Sequence, residues 1–315
     1  MNKISIISYE ASHNLGDYIQ TLAVKQHFRT NLIEVNREKL HEKPKEKSNL
    51  LINGWFMENP SHWPPHGDYN PLFISFHLNP TAKKTMLTDS GVAYLKKHEP
   101  IGCRDDYTVL LLQSRGIKAY FSACLTLTFQ RKVLLGSSAI SQHGILVLSA
   151  FERLEQMGKP LGKSGESLLQ KVKIIWNLRR YQTANKRLER FLARSKKPVR
   201  YLSQILDDPS TPEDDRWKAA QNQLLAIASA QLVITSRIHS ALPAVALGVP
   251  VLFLKDGLEH PNQNSRLKGI SQFFTCCKSR DLKELSWDTI KNPNTHQPFV
   301  ALMEEKLANW IKSIR

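Results

Sequence analysis

The run Leu-Val-Ile-Thr-Ser-Arg-Ile-His-Ser-Ala-Leu-Pro-Ala-Val-Ala-Leu-Gly-Val-Pro-Val-Leu-Phe-Leu, residues 232–254, decides the fold class. It begins with four apolar or β-branched residues, typical of a buried strand. It continues as a helix of small residues that stops at Gly248, and it closes with a second apolar run. Strand, polar loop, helix and strand in this order are typical of parallel α/β layers.

The N-terminal half shows the same order of elements. Lys3–Tyr9 predicts a first strand, and a polar loop leads from it into a helix over Tyr18–Phe28. Further strands are predicted at Leu32–Val35, Leu50–Ile52, Leu72–Phe76, Ile101–Cys103 and Ala119–Ser122, and further helices at Thr81–Lys97 and Asp106–Ser114.

Residues 130–142 are polar and lack periodicity, which predicts a linker. After it we expect a strand at Gly144–Ser149, a long helix that starts near Thr211 and a closing helix over Phe299–Ile314. We therefore predict two Rossmann-like domains, residues 1–135 and 136–315, that face each other across a cleft, with the closing helix packed back on the first domain.

The composition is that of a soluble globular protein, with 41% hydrophobic and 23% charged residues in a chain of 315. No apolar run reaches the roughly 20 residues of a transmembrane helix. The N-terminus shows no secretory leader, and the four cysteines form no CxxC pair. These features predict a cytoplasmic protein.

The net charge of +16 is concentrated in one segment. Residues 171–200 contain 11 basic residues and one acid, a net charge of +10. Such a segment attracts nucleic acid, an anionic membrane or a negatively charged substrate, and charge alone does not choose among them. The apolar spacing within residues 165–200 predicts a basic helical insert, and its scarcity of aromatic residues argues against a nucleic-acid reader.

Ser236, Arg237 and His239 follow a predicted strand and open a helix, where backbone N–H groups and the helix dipole favour an anion. The pattern leaves two interpretations open. In one, Arg237 binds an anion and His239 moves a proton. In the other, His239 caps its helix and Arg237 forms an interdomain salt bridge.

Two more loops end predicted strands in the first half. Arg104 follows one strand and is expected to project into the same cleft. Asn14, Gly16 and Asp17 lie in the loop after the first strand, where Gly16 allows close backbone approach. Asp17 could cap the helix or act as a base, and its spacing favours the cap.

Taken together, these loops resemble the polysaccharide pyruvyl transferase family. The stretches that carry the resemblance are Asn-Leu-Gly-Asp-Tyr-Ile-Gln-Thr-Leu-Ala (14–23), Ile-Asn-Gly-Trp-Phe (52–56), Phe-Ile-Ser-Phe-His-Leu-Asn (73–79), Ile-Gly-Cys-Arg-Asp (101–105), Tyr-Phe-Ser-Ala-Cys-Leu-Thr-Leu-Thr (120–128) and residues 235–251 of the segment quoted first. They span most of the chain in the family's order. The chain departs from the family's pattern at Gly54-Trp55, where many relatives have a Gly-Gly pair, and in the basic insert.

The resemblance implies a GT-B-like pair of domains that transfers pyruvate from phosphoenolpyruvate to a sugar as a ketal. It places the donor site at Asp17, Arg104, Arg237 and His239. Ser236, Asn14 and Gly16 are expected to help bind the donor, and His77, Gly54 and Cys124 to line the site.

The chemistry of the reaction fits these residue types. A ligand with a carboxylate and a phosphate needs fixed cations, and arginine offers bidentate geometry. His239 is our candidate acid/base, Asp17 could deprotonate or orient the acceptor, and the scheme demands neither metal nor cofactor.

The expected partners are phosphoenolpyruvate and a glycan or lipid-linked oligosaccharide, with contact to an anionic membrane as a further hypothesis and nucleic acid disfavoured. The alternatives are a nucleotide-sugar glycosyltransferase on the same fold and, less favoured, a basic nucleic-acid or membrane-surface binding protein on an inactive scaffold.

Overall fold

A computed structural model describes residues 3–136, 141–159 and 167–314. Within these ranges the strands are β1 (Ile4–Ser8), β2 (Ile33–Asn36), β3 (Ser48–Phe56), β4 (Tyr69–Leu78), β5 (Ile101–Cys103), β6 (Ala119–Phe121), β7 (Ile145–Leu148), β8 (Val199–Leu202), β9 (Leu232–Thr235), β10 (Val251–Leu254) and β11 (Thr275–Cys277). The helices are α1 (Leu15–Lys25), α2 (Lys83–Met86), α3 (Asp89–Lys97), α4 (Asp106–Gln113), α5 (Arg131–Leu135), α6 (Glu152–Met157), α7 (Leu168–Ser195), α8 (Glu213–Ala228), α9 (Ile238–Ala246), α10 (Pro261–Asn264) and α11 (Gln297–Ser313).

The strands form two parallel sheets. The first has the order β2-β1-β3-β4-β5-β6 and the second the order β11-β10-β9-β7-β8. Central strands such as β9 and β10 are buried along their whole length, as expected of a parallel sheet covered on both faces. The prediction of parallel α/β layers is therefore confirmed, and two such sheets are consistent with two Rossmann-like domains.

Several element predictions need correction. The helix predicted over Thr81–Lys97 is two helices, α2 and α3, because Thr88 starts the second one by accepting a hydrogen bond from the Gly91 N–H. The predicted linker at residues 130–142 contains α5, and its residues 137–140 lie outside the described ranges. The basic insert is α7 followed by β8, and its first two residues, 165 and 166, also lie outside them.

Residues of the two sheet regions pack against each other at α1. Its Tyr18 ring meets Trp217 of α8 edge-on, with ring centroids 4.8 Å apart. Just before α1, Asn14 forms a backbone bridge with Ile205, which follows β8. These contacts bring the loop after β1 to the second sheet.

The closing helix α11 contacts residues of the first sheet region. Phe299 packs edge-on against Phe121 at 5.0 Å between centroids, and the Ser75 hydroxyl donates to the Met303 sulfur at 3.7 Å. Among the described residues, no helix has the length and apolar character needed to cross a bilayer.

Candidate active site

A pocket lies where the strands of the second sheet end, so loops at the carboxyl edge supply most of its lining. The lining residues are Asn14, Arg153, Gln204, Ser236, Arg237, Ile238, His239, Phe253, Leu258, Gln263, Arg266 and Leu267. Three of these are arginines, and a fourth arginine, Arg104, contacts His239. We call Arg104, Arg153, Arg237 and Arg266 the arginine cluster.

Arg237 stands at the N-cap position of α9, directly after β9. Its N–H donates to the Thr235 hydroxyl at 3.0 Å, which fixes the loop, and its Nη2 pairs with Glu152 Oε1 at 2.7 Å. Both side chains are largely buried. Glu152 belongs to α6, in the same sheet region as Arg237. The salt bridge that Arg237 forms with it is therefore not the interdomain salt bridge considered from the sequence. Ser236 donates from its hydroxyl to the Ser149 carbonyl at 2.7 Å.

The arginines repel one another. Burial lowers the pKa of Arg266 to about 9, and the charges of Arg104, Arg153 and Arg237 add to the effect. Burial also lowers the pKa of Arg153 to about 10, with a further contribution from Arg237. Buried guanidinium groups this close together are stabilised by a bound anion.

Arg104 follows β5 and is completely buried. Its Nη1 donates to Gln20 Oε1 at 3.3 Å and to His239 Nε2 at 3.4 Å. Within the described part of the chain, its Nε and Nη2 find no hydrogen-bond partner. A buried cation with unused donors is costly, so these two N–H groups are available to an anionic ligand.

His239 lies in the first turn of α9 and is buried. Burial lowers its pKa well below the ordinary value, and the charges of Arg104, Arg266 and Arg237 lower it further. The ring is therefore neutral at neutral pH. Because Arg104 is always a donor, Nε2 of His239 is the acceptor and the ring proton resides on Nδ1.

The loop that enters α1 is tied to the pocket by Asn14. Its side-chain oxygen accepts from the Gly16 N–H at 3.1 Å and from Gln204 Nε2 at 2.7 Å. Asn14 is thus the N-cap of α1, and the role of cap that spacing favoured for Asp17 is wrong because the helix begins earlier than predicted, at Leu15.

Asp17 points its carboxylate at neighbouring polar groups. It accepts hydrogen bonds from the Ser12 hydroxyl at 2.7 Å and from Gln20 Nε2 at 3.3 Å. Burial raises its pKa, although the bond from Ser12 and the charges of Arg37, Arg266 and Arg104 act in the opposite direction. Asp17 therefore lies within electrostatic range of the arginine cluster and is a carboxylate that can hold a proton more readily than usual.

His77 and Asp105 form a buried pair beside these groups, with Nδ1 and Oδ2 at 2.5 Å. Burial lowers the pKa of His77 to about 4, despite the opposing effect of Asp105. Burial acts to raise the pKa of Asp105, but the charge and hydrogen bond of His77 and the charge of Arg104 outweigh it and lower that pKa. A neutral His77 donates from Nδ1 to the carboxylate, and its buried Nε2 has no partner among the described residues.

Gly54 and Cys124, which were also predicted to line the site, are not among the residues that line the pocket. Gly54 has φ +93° at a bulge in β3, where a Cβ would stand 2.2 Å from the Tyr9 hydroxyl and 3.0 Å from Gln20 Oε1. Since Gln20 accepts from Arg104, Gly54 supports the site indirectly. Cys124 is buried in the core, where its sulfur accepts a hydrogen bond from the Thr126 hydroxyl at 3.2 Å.

Sequence reasoning missed Arg153, Arg266, Gln204 and the partner of His77, Asp105. One signal was present for Arg153 and Asp105, because each stands within a few residues of the carboxyl end of a strand, as Arg104 and Arg237 do. Gln204 follows β8, a strand that the sequence did not predict, and Arg266 lies in a short helical turn after α10, so neither followed a predicted strand. No group of three or more His, Cys, Asp or Glu side chains is placed to hold a metal ion within residues 3–136, 141–159 and 167–314.

A buried set of mutually repelling arginines lies with two histidines at the ends of parallel strands, and this arrangement suits a negatively charged ligand. The family model of the polysaccharide pyruvyl transferases matches residues 14–255, so the chain belongs to this family. The resemblance seen in the sequence is thereby confirmed, and a polysaccharide pyruvyl transferase activity is indicated in general terms.

Comparison with solved structures finds a likeness to a functionally uncharacterized protein from Klebsiella pneumoniae subsp. pneumoniae NTUH-K2044. The two are 11% identical, the likeness covers 88% of this chain and 93% of the other, and the TM-score is 0.47. Comparison with curated proteins finds no match.

Proposed function

We propose that the protein transfers the pyruvyl group of phosphoenolpyruvate to a sugar of a cell-surface polysaccharide or its precursor, forming a ketal and releasing phosphate. The observation that carries the proposal is the arginine cluster, with the unused donors of Arg104 at its buried end. The GT-B-like arrangement expected of the family would set this donor site between the two sheet regions.

The charge of the cluster suits this donor. Phosphoenolpyruvate carries about three negative charges at neutral pH, one on its carboxylate and up to two on its phosphate. Four guanidinium groups face the carboxylates of Glu152, which pairs with Arg237, and Asp17. The surplus of two positive charges attracts a donor with several negative charges, and the planar guanidinium groups suit both of its anionic ends.

His239 is the candidate acid for the first step. Burial is the main cause of the lowered pKa of His239, and the charges of the arginines add to it. A bound anion offsets those charges and so favours uptake of a proton by the ring as the donor enters. His239 then delivers a proton to the methylene carbon of the donor, and the electrons of the double bond leave an oxocarbenium-like centre at the neighbouring carbon. The arginines hold the carboxylate and phosphate in place during this step.

A sugar hydroxyl attacks that centre and must lose its proton. His77 suits this role because Asp105 holds its Nδ1 proton and leaves the Nε2 lone pair free, as in other carboxylate–histidine pairs. Asp17 would orient the acceptor. The second hydroxyl of the sugar then displaces phosphate, which leaves with the proton of that hydroxyl, and the ketal closes. This step benefits from holding both reactants in one site.

Isothermal titration calorimetry tests the donor directly, because it needs no acceptor. Phosphoenolpyruvate should bind the wild-type protein saturably, and Arg237→Ala should weaken that binding by at least tenfold. Arg29→Ala is a matched control, since Arg29 is exposed beyond the C-terminus of α1, the end away from the pocket. Binding of UDP or GDP in place of phosphoenolpyruvate would contradict the proposal and favour a nucleotide-sugar glycosyltransferase.

A further inference from the structure

The first half of α7 exposes an apolar face to solvent. Leu168, Leu169, Val172, Ile175 and Trp176 are 78%, 82%, 57%, 52% and 56% exposed. Four of these five follow the spacing i, i+4, i+7 and i+8 from Leu168, so they share one side of the helix. Large exposed apolar side chains concentrated on one helix face mark a surface that another body covers.

The opposite side of α7 is the one that packs on the protein. Its buried residues include Ala184, Leu188 and Phe191, which belong to the core cluster of the second sheet. Asn177 fixes the first half by donating from its side chain to the Met157 carbonyl at 3.2 Å. The exposed apolar face is therefore presented outward by a helix whose other side is held in place.

Basic residues surround and extend this apolar face. Lys171 and Lys173 stand between its apolar residues, and the same side of the helix continues with Arg179, Lys186 and Arg190. All five are exposed, and within the described part of the chain none of them forms an ion pair. The charge of the segment is thus available to a partner of opposite sign.

Helix α7 contacts elements that also carry residues of the candidate active site. Helix α6, which packs on α7 at Asn177, contributes Glu152 and Arg153 to the arginine cluster region. Arg180 stacks on the Trp176 ring at 4.5 Å and pairs with Glu259 at 2.7 Å, next to the pocket-lining Leu258. These contacts tie α7 to the elements that carry the pocket lining.

We propose that α7 docks the protein on the surface of a bilayer that contains anionic lipids, with its apolar side chains inserted at the interface and its basic residues on the head groups. An apolar helix face flanked by Lys and Arg, with a tryptophan among the apolar residues, has the chemistry of an interfacial helix. A second copy of the chain fits the surface less well, because pairing two such helices would bring together two segments of net charge +10. On the proposed function, docking in this way would hold the protein at the membrane surface, where a lipid-linked acceptor would be found.

Cosedimentation of the full chain with vesicles tests the proposal. The wild-type protein should bind vesicles made of phosphatidylcholine and phosphatidylglycerol in equal amounts. It should not bind vesicles of phosphatidylcholine alone, and its binding to the mixed vesicles should weaken as salt is added. The variant V172Q/I175Q/W176Q should lose binding. Its control, L110Q/V133Q, removes apolar residues that are 61% and 63% exposed on α4 and α5 and should bind as the wild type does.

Charge-reversal variants distinguish binding through α7 from a general attraction of the positively charged protein to anionic lipids. K171E/K173E should weaken binding at least about fivefold for each charge changed. K83E/K84E makes the same change on exposed α2 and should have little effect. Thermal unfolding of each variant checks that the fold is kept.

Three results would overturn the proposal: no binding to the mixed vesicles, unchanged binding by V172Q/I175Q/W176Q, or equal losses in the two charge-reversal variants. Light scattering gives a further outcome. A wild-type dimer that V172Q/I175Q/W176Q converts to a monomer, with no vesicle binding by either, would identify a second copy as the occupant and overturn the proposal too.

Discussion

Gly16 should not tolerate even a methyl group, because its Cα faces the residues that join the two sheet regions. A Cβ at this position would stand 2.6 Å from Gln204 Nε2 and 3.0 Å from both Cβ and Nδ1 of His239. Gln204 cannot move away freely. Its Nε2 donates to Asn14 Oδ1 at 2.7 Å and its Oε1 accepts from the Ser240 hydroxyl at 2.5 Å.

The size of the effect follows from those contacts. Moving the Gln204 side chain breaks two hydrogen bonds of about 1 kcal/mol each and leaves buried polar atoms unpaired, at about 1–3 kcal/mol. Alanine in the first turn of α1 recovers up to about 1 kcal/mol in helix propensity. We expect Gly16→Ala to lower the free energy of unfolding by about 2–4 kcal/mol. Because Gln204 and its partner Asn14 line the pocket and are displaced together, we also expect phosphoenolpyruvate to bind about tenfold more weakly, which corresponds to about 1.4 kcal/mol.

Urea unfolding and calorimetric titration measure the two quantities. Gly67→Ala is the matched control, since Gly67 lies in an exposed turn where a Cβ meets nothing within 4 Å. The control should change stability by no more than about 0.5 kcal/mol and leave donor binding unchanged. If Gly16→Ala matches Gly67→Ala in both measurements, the contact between α1 and α9 does not hold the site together as described.

Three further predictions concern the titratable groups of the site. His239→Ala should lower acceptor-dependent phosphate release by about 10²- to 10⁴-fold while changing the Kd for phosphoenolpyruvate only a few-fold, and an active His239→Ala enzyme would remove His239 from the mechanism. Donor binding to the wild-type protein should take up more protons than donor binding to His239→Ala, because the anion offsets the arginine charges that act with burial to lower the pKa of His239; titration in two buffers of different ionisation enthalpy measures this, and equal uptake by the two proteins contradicts it. The pKa of His77 is about 4 in the folded protein and 6.5 in the unfolded chain. Between these values the unfolded state binds a proton that the folded state does not. The free energy of unfolding should therefore fall by up to about 1.4 kcal/mol per pH unit as the pH drops from about 6.5 to 4. His77→Asn should flatten that dependence in chemical unfolding, and an unchanged slope would show that His77 does not carry it.

The central strands could be predicted from the sequence, whereas the edges of the second sheet could not. The run Leu232–Thr235 is uniformly apolar or β-branched and is buried along its whole length. The two missed strands, β8 and β11, are the outer strands of the sheet. Most residues of β8 are exposed, and β11 has only three residues, so neither shows the continuous apolar run of a buried strand.

The residues of the candidate site also fall into those that the sequence could predict and those that it could not. Arg104 and Arg237 could be found because they follow buried strands directly, where the fold class places ligands. Arg266 could not, because it lies in a short helical turn after α10 and does not follow a strand directly. The pairing of His77 with Asp105 joins two strand ends that are distant in sequence, so it becomes visible only when β4 and β5 lie side by side.

The most direct test of the account is a crystal structure of the protein with phosphoenolpyruvate. The account predicts the donor within the arginine cluster, with an anionic group accepting hydrogen bonds from the free Nε and Nη2 of Arg104 and the methylene carbon facing His239. A donor bound elsewhere, or a nucleotide that binds in this pocket while phosphoenolpyruvate does not, would contradict it.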